Sequence, residues 1–550
     1  MSRYHRVLSL ILLISLPLAA VSMERTALLP SDAQTYVRVS NAVSFWDKLK
    51  KSSIGRLWAD QQFQDFIGNP EAAIWQELFF QGETEAEDKI FLEQMKMLDG
   101  EIILAFDLEN EEPYIIATMT KEDFDRGLEL DDKMRDVVKD PFEINKSTFQ
   151  DVEIIQHIEN VGTPEQQSSW QTHVGNTFVL GYTPEWVEQC IVRLKKNEIT
   201  EPKGNPVLTF NIPLAQMINA ALEEDGAGPS ERAVMAALGI LDIEVFSSTI
   251  EFKDDEMVAD NILKISDLGK GLFTLLDVEP SELPTVTFIP STIASLEVGR
   301  FNLMRFWQEI PIFLSVAQPE MKPQFDMILA MIQQQAGISL EQDLLVHLGT
   351  KYVAFSVVEG EQQSSIVAID LQDSMAFKKG LETALASPAM QPYVATGLEI
   401  SDFLDHTIYT LKESDPNNTM GIAVAGDYLL YGDPAGLRQV IRSETSEAAE
   451  NQSFERSELV KGLRQHISPR AFAYSAVDWK KNMDVIIREL SKPEYIALIQ
   501  QKWATSGSPL PPADFTKLPP ADHIASFFNV TYQYIEAKGN GLHQKVILKY

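Results

Sequence analysis

The sequence has 550 residues with 80 acidic and 46 basic side chains, which gives a formal net charge of −34. Its hydrophobic content of 45% excludes disorder over most of the chain and allows large cores. The acidic balance argues against nucleic acid as a partner, because binding to a phosphate backbone needs clustered lysine and arginine.

Residues 1–22 have the three parts of a secretory signal peptide. Arg3 and Arg6 lie in a basic N-terminal region, residues 7–21 are mostly apolar, and a cleavage site precedes Met23. The apolar run is shorter than the roughly 20 residues of a spanning helix. We therefore predict export to the periplasm or the medium, with an uncleaved N-terminal anchor as the alternative. A single cysteine fits a bacterial envelope protein without internal disulfides.

The mature chain opens with a predicted strand near residues 35–39 and a helix that begins with Phe45 and Trp46. The same pattern returns later, with a strand near residues 293–298 and a helix that contains Phe306 and Trp307. Such similarity within one chain indicates an internal repeat of long period.

The order of the following elements also repeats. In the first half, the residue patterns predict successive strands and helices in the segments 100–108, 113–119, 121–135, 149–158, 176–184, 185–195 and 206–211, and Pro184 begins the helix 185–195. The second half predicts their counterparts, in the same order, in the segments 351–358, 364–371, 374–386, 403–411, 427–434, 435–442 and 469–475.

Each half closes with a predicted hairpin. The first hairpin joins residues 244–252 to 257–265, and the second joins residues 528–537 to 542–549. Asn540-Gly541 predicts a type I′ turn, which needs positive φ at both central residues.

These patterns predict an α+β protein with two related halves from internal duplication. Each half is expected to be mainly antiparallel sheet with helices on one face. The predicted division is a signal peptide at 1–22, a first repeat at 23–283 and a second repeat at 284–550. The boundary lies in a stretch with Pro280 and Pro284.

The start of the mature chain resembles a family of exported bacterial proteins of unknown function. The resemblance rests on a Leu-Pro-x-Asp motif at residues 29–32, followed by Tyr-Val-x-Val at residues 36–39. It covers the whole mature chain and implies an envelope location and two α+β halves, with no assigned activity and no functional residues. The second half departs from the motif, with Thr292 where Asp32 stands.

The motifs of common hydrolases, nucleotide-binding proteins and zinc proteins are absent from the sequence. His157 and His173 could face each other on paired strands and bind a metal, but no third ligand is evident. The favoured interpretation is that both are ordinary surface histidines. Cys190 lies on one side of an amphipathic helix and is predicted to be a buried, unreactive thiol. No catalytic, cofactor-binding or metal-binding residue is therefore assigned.

Several aromatic and methionine side chains are predicted to be packing residues. Trp46 and Trp307 recur at matching places and are predicted to be core residues rather than a ligand platform. Met95, Met97, Met327 and Met331 lie on predicted apolar helix faces and are given the same role.

The favoured function is an exported, non-enzymatic protein that binds an unknown ligand or protein partner, in a groove between the two halves. We expect no nucleic acid partner, no cofactor and no membrane span after signal cleavage. The alternatives are an exported hydrolase with an unrecognised active site, and a structural component held at the membrane by an uncleaved signal.

Overall fold

The structure is a computed structural model. It describes residues 25–30, 35–67, 90, 93, 97–98, 100–106, 113–137, 142–163, 166–196, 207–224, 226–278, 286, 288–359, 362–412, 419–445, 456–506 and 513–550. The predicted signal peptide at 1–22, the repeat boundary at 283/284, the motif residue Asp32 and the predicted packing residue Met95 lie outside the described residues.

Twenty strands occur in the part of the chain that the structure describes. They are β1 Thr35–Val39, β2 Ile102–Phe106, β3 Pro113–Thr118, β4 Phe142–Phe149, β5 Val152–Glu159, β6 Gln167–Val174, β7 Thr177–Gly181, β8 Val207–Ile212, β9 Ile243–Phe252, β10 Glu256–Ile265, β11 Ile293–Arg300, β12 Leu348–Glu359, β13 Gln362–Leu371, β14 Leu398–Phe403, β15 His406–Leu411, β16 Gly421–Ala425, β17 Tyr428–Gly432, β18 Ala471–Asp478, β19 Val530–Ala537 and β20 Gly541–Lys549.

The described α-helices lie between these strands. They are α1 Ala42–Lys51, α2 Ser53–Trp58, α3 Gln61–Ile67, α4 Lys121–Val137, α5 Pro184–Lys195, α6 Leu214–Glu224, α7 Pro229–Ala237, α8 Leu303–Ala317, α9 Met321–Ala336, α10 Ser374–Ala386, α11 Gln391–Gly397, α12 Pro434–Thr445, α13 Glu458–His466, α14 Trp479–Leu490, α15 Pro493–Ser506 and α16 Ala521–Ala525. Within the described ranges, no helix combines the length and the apolar content that crossing a bilayer requires.

All strands belong to one sheet, and every described pairing is antiparallel. From one edge to the other, the order is β4, β5, β6, β7, β3, β2, β1, β8, β9, β10, β20, β19, β18, β11, β12, β13, β17, β16, β15 and β14. The large antiparallel sheet expected from the sequence is therefore confirmed, and it runs without interruption from one half to the other.

The pairing order is the same on both sides of the junction between β10 and β20. From the edge to the junction, residues 25–278 have the order β4, β5, β6, β7, β3, β2, β1, β8, β9, β10. Residues 286–550 have the order β14, β15, β16, β17, β13, β12, β11, β18, β19, β20, in which each strand number is higher by ten. Asp260 lies opposite Lys545, and each is the fifth residue of its strand. The first residue of each strand faces the ninth residue of the other, so the ladder is symmetric about this pair.

Helices cover both faces of the sheet, so the prediction of helices on one face is wrong. Ile102 packs in a cluster with Phe124 of α4, whereas its neighbour Ile103 packs in a cluster with Trp186 of α5. Consecutive residues of a strand point to opposite faces. The order of strands and helices in a sequence carries no information about the face on which a helix lies, which is why the prediction failed.

One hydrophobic core combines side chains from both sides of the junction. Phe45, Phe210 and Phe252 from the first half pack in one cluster with Leu548, and Trp479 packs against it. The continuous ladder and this shared core occupy the place where a groove between the halves was expected.

The last hairpin forms as predicted, but its turn differs in register. Lys538 N–H donates to the carbonyl of Gly541, so Gly539 and Asn540 are the central residues. Gly539 has a φ of +59°, and Asn540 is not among the residues with positive φ. The Asn540-Gly541 pair therefore does not form the expected type I′ turn. Two other hairpins have positive φ at both central residues, Gln150 with Asp151 and Leu404 with Asp405.

Candidate interaction surfaces

Strand β14 is an open edge of the sheet, because β15 is its described strand partner. Lys412 N–H donates to the carbonyl of Gly397, which makes these two opposite residues a hydrogen-bonded pair. Hydrogen-bonded and non-hydrogen-bonded pairs of opposite residues alternate along an antiparallel ladder. The backbone groups of Ile400 and Asp402 therefore point away from β15, toward the outside of the sheet, whereas the Leu398 N–H donates to the Val394 carbonyl of α11.

Apolar side chains are exposed beside this edge. Ile400 is 51% exposed, and Leu404 and Leu411 are also exposed. Tyr393 is exposed on α11, which leads directly into β14. Glu399, Asp402 and Asp405 are exposed as well. We call β14, its turn residues Leu404 and Asp405, and Leu411 the β14 edge.

The opposite edge of the sheet, β4, has a different character. Both edge strands end in a two-residue turn, with Phe149 opposite Val152 and Phe403 opposite His406. Three residues before these closing positions stand Lys146 on β4 and Ile400 on β14. Lys146 Nζ lies 3.2 Å from the Glu153 carboxylate. The two edges thus carry a charged and an apolar side chain at matched positions.

A second apolar surface lies on helices α8 and α9, and we call it the α8–α9 face. Its exposed side chains are Ile312, Val316, Met321, Met327, Ile328 and Met331. Met327 is 64% exposed, and it stands four residues before Met331 on the same side of α9. The prediction that Met327 and Met331 are packing residues is therefore wrong. Met97 is buried as predicted.

The recurring tryptophans do not lie fully in the core. Phe45 is buried, but Trp46 beside it is exposed and Trp307 is half-buried against Phe325. The prediction that Trp46 is a core residue is therefore wrong, because Phe45, and not Trp46, lies on the buried side of α1.

His157 and His173 do not face each other. His157 lies opposite Ser169, whereas His173 lies opposite Phe178. The Gln171 amide contacts His157 Nε2 at 2.7 Å, and His173 Nε2 lies 2.9 Å from the Met119 carbonyl oxygen. Within the described residues, no group of three or more histidine, cysteine or acidic side chains could hold a metal ion.

His157 is buried rather than on the surface, so that part of the prediction is wrong. Burial lowers the pKa of His157 because it disfavours the charged ring, and Asp131 opposes this shift. A neutral ring accepts a hydrogen bond from the Gln171 amide at Nε2. The matching position in the second half is Leu411, by the registers of β5 with β6 and β15 with β16.

Cys190 is a buried thiol, as predicted. Burial raises the pKa of the Cys190 thiol to about 12, although Arg193 opposes this. Because the thiolate is the reactive form, this side chain is inert near neutral pH.

A buried ion-pair network was not foreseen from the sequence. Glu101 contacts Arg25 at 2.8 Å and Arg38 at 2.5 Å, and all three side chains are buried. Arg25 also donates to the Thr118 hydroxyl at 2.9 Å. The network ties the segment before β1 to β2 and β3. The sequence indicates it through Arg38, a charged residue that lies between Val37 and Val39 in β1.

A cavity beside β11 and β18 is small. Arg300, Lys351 and Tyr474 are among the residues that line its volume of about 10 Å³. A volume of this size holds about one water molecule, whereas pockets for small organic ligands are far larger. Burial raises the pKa of the Tyr474 hydroxyl, which keeps it protonated near neutral pH.

Comparisons with known proteins find little similarity. No family model and no curated protein matches the sequence. Two crystal structures of a protein designated TP0453 match in part. Crystal form I is 10% identical and has a TM-score of 0.23, over 45% of this chain and 81% of that one. Crystal form III is 7% identical and has a TM-score of 0.22, over 46% and 82%. TM-scores this low carry no argument about function, and the resemblance to uncharacterised exported proteins stays a prediction.

Proposed function

We propose that the chain is an exported, non-enzymatic protein of the bacterial cell envelope that binds a partner protein through its surface. The observation that carries the proposal is the α8–α9 face, on which apolar side chains such as Met327, Ile328 and Met331 are exposed together. Contiguous apolar surface on a water-soluble protein marks an interaction site, because its contact with water is unfavourable.

Methionine suits such a surface. Its unbranched side chain adapts to different neighbours, and methionine-rich surfaces recur in proteins that bind other polypeptides. Met321, Met327 and Met331 all lie on α9. Support for export comes from the pattern of residues 1–22.

A partner protein is favoured over a small ligand. The groove expected between the halves is replaced by the ladder of β10 with β20, and the cavity beside Tyr474 measures only about 10 Å³. The apolar side chains that could bind a partner lie on outer helices and on a sheet edge instead.

We also infer that the two halves arose by internal duplication, with a repeat at 23–283 and another at 284–550. The inference is supported by the matched strand order and by the ladder symmetric about Asp260 and Lys545. An isologous dimer interface has this symmetry, because the same surface meets itself. The Lys545 ammonium lies 3.6 Å from the Asp260 carboxylate, so opposite charges now meet where identical halves would place like charges.

Native mass spectrometry of the full chain, isolated from a bacterial envelope fraction, tests the proposed function. We expect a mature chain that starts at Met23 and carries an additional protein subunit. The double variant Met327→Glu/Met331→Glu is expected to lose that subunit, because each carboxylate would have to leave water on binding. The control is Met375→Glu, at a methionine on α10 that is 83% exposed and outside the α8–α9 face.

A cytoplasmic location would contradict the proposal. So would a chain that binds no protein, or a subunit that the double variant and the control retain equally. Turnover of ester, peptide or glycoside substrates by the purified chain would favour the hydrolase alternative.

A further inference from the structure

The outer backbone groups of β14 offer a template for another strand. Ile400 and Asp402 direct their N–H and C=O groups away from β15, as the Lys412–Gly397 pair establishes, and these groups have no backbone partner among the described residues. The Leu398 N–H is already used, because it donates to the Val394 carbonyl at the end of α11. Phe403 packs against the core of the second half, and the Arg442 guanidinium lies 5.5 Å from its ring centre. The end of this edge is therefore anchored.

The protection of the β14 edge is only acidic. Natural edge strands avoid unwanted pairing by charged side chains, especially lysine, by proline or by a bulge. The sequence of β14, Leu-Glu-Ile-Ser-Asp-Phe, has no lysine or proline, its register with β15 is regular, and its charged side chains are Glu399 and Asp402. At the matched position the β4 edge carries Lys146, whereas β14 carries the exposed Ile400. The β4 edge thus presents a basic side chain at this position, whereas the β14 edge presents an apolar one between acidic residues.

We propose that the β14 edge binds an extended segment of a partner protein in which basic and apolar residues alternate, and that this segment adds a strand to the sheet. The inference rests on the proposed function and names the kind of segment that the partner presents. Backbone hydrogen bonds supply affinity in this mode of recognition, and alternate side chains supply specificity.

The acidic side chains of the β14 edge favour a basic segment over a second copy of this chain. Glu399 and Asp402 are exposed on the strand, and Asp405 is exposed in its turn. A second copy paired antiparallel about Ile400 would bring two acidic strands together, on chains that each carry a formal net charge of −34. Like charges on paired strands are unfavourable. Lysine or arginine in the added strand removes this repulsion.

The β14 side chains also determine which positions of the added strand are apolar and which are basic. Leu398, Ile400 and Asp402 lie on one face of β14, with Leu411 opposite Leu398, while Glu399 and Ser401 lie on the other face. An apolar residue of the added strand would contact Ile400, and its basic neighbours would lie beside Glu399. A peptide with alternating lysine and valine has this pattern.

The test is calorimetric titration of the full mature chain with a peptide of four lysine–valine repeats, at about 50 mM salt so that screening is limited. We expect binding that weakens at least about tenfold when alternate peptide nitrogens on one edge are methylated, because methylation removes donors and leaves the charge unchanged. Ile400→Pro and Ile400→Lys are each expected to weaken binding by a similar factor.

Ile400→Pro should preserve the fold, because the Ile400 N–H makes no ladder bond to β15. Its thermal unfolding checks this, and Ile400→Lys gives a second variant with no change in backbone chemistry. The matched control is Lys146→Pro on the β4 edge, which is expected to leave peptide affinity unchanged.

Equal affinity for the methylated and unmethylated peptides would overturn the inference, because charge alone would then explain binding. A protein that self-associates through β14, with association lost in Ile400→Pro, would also overturn it in favour of a second copy. A peptide that does not bind, while the Met327-dependent subunit is retained, would remove this inference and leave the proposed function standing.

Discussion

Glu101 accepts contacts from two buried guanidinium groups, those of Arg25 and Arg38. Taking charges out of water is costly, and the pairing of opposite charges offsets this cost. The matched position of Arg38 in the second half is Val298, by the registers of β1 with β2 and β11 with β12. The network is thus specific to the first half.

Glu101→Gln is expected to destabilise the protein by about 3 to 5 kcal/mol, because it leaves two buried cations without their carboxylate. Urea unfolding at neutral pH measures this. Glu93→Gln is the control, since the Glu93–Arg126 pair is exposed and is worth at most about 1 kcal/mol. A loss as small as that of the control would show that the network contributes little.

His157 gives a pH-dependent contribution to stability. Burial holds its pKa below the ordinary value of 6.5, so the unfolded chain binds a proton more readily. Stability is expected to be unaffected above pH 6.5 and to fall as the pH decreases below it. His157→Leu, which places the side chain of Leu411 at the matched position, is expected to remove this component. An unchanged slope of unfolding free energy against pH between about 5 and 7 would contradict the assignment.

Hairpins are the elements that the sequence predicted best. The segments 244–252 and 257–265 correspond to β9 and β10, and helix α10 has the predicted bounds Ser374–Ala386. Local alternation and helical periodicity determine such elements. Burial depends instead on what packs against a helix, and for this reason the packing predictions for Met327 and Trp46 are wrong.

Leu404 adopts a φ of +47° in the turn between β14 and β15, a conformation that is unfavourable for a branched side chain. Leu404→Asn is expected to stabilise the protein by about 1 kcal/mol, because asparagine tolerates the left-handed region. The denaturation midpoint measures the change. Gln150→Asn, at the matched turn position with a φ of +49°, should have an effect of the same sign. Destabilisation by both variants would contradict the turn assignment.

The open edge was not predictable from the sequence. A strand becomes an edge through the order in which distant strands pair, and the segment 398–403 alone does not contain that order. The same reason explains the β10–β20 junction, which joins residues almost 300 positions apart. The division at 283/284 stays a prediction, because the residues around it are not described.

At the scale of the whole molecule, ion pairs hold the junction between β10 and β20. Glu256 of β10 accepts hydrogen bonds from Lys549 of β20 and from Lys253. Partial burial opposes ionisation of Glu256, but the hydrogen bonds from Lys253 and Lys549 outweigh it and lower its pKa. Its stabilising contribution is therefore present above the ordinary glutamate range and is lost on acidification below about pH 4.

Glu256→Gln is expected to lower stability at neutral pH by about 1 to 2 kcal/mol and to make acid unfolding less steep. The free energy of unfolding, measured at several pH values, tests both effects. Glu244→Gln is a control, since the Glu244–Lys264 pair is exposed. A variant with unchanged acid dependence would show that Glu256 does not secure the junction.

The most direct test of the proposed function is site-specific photo-crosslinking in living bacteria, with the photoreactive residue at position 327 or at position 375. Both methionines are exposed, and only Met327 belongs to the α8–α9 face. We predict one discrete protein adduct from position 327 in the envelope fraction and none from position 375. No adduct from either position, or the same adducts from both, would contradict a binding role for the α8–α9 face.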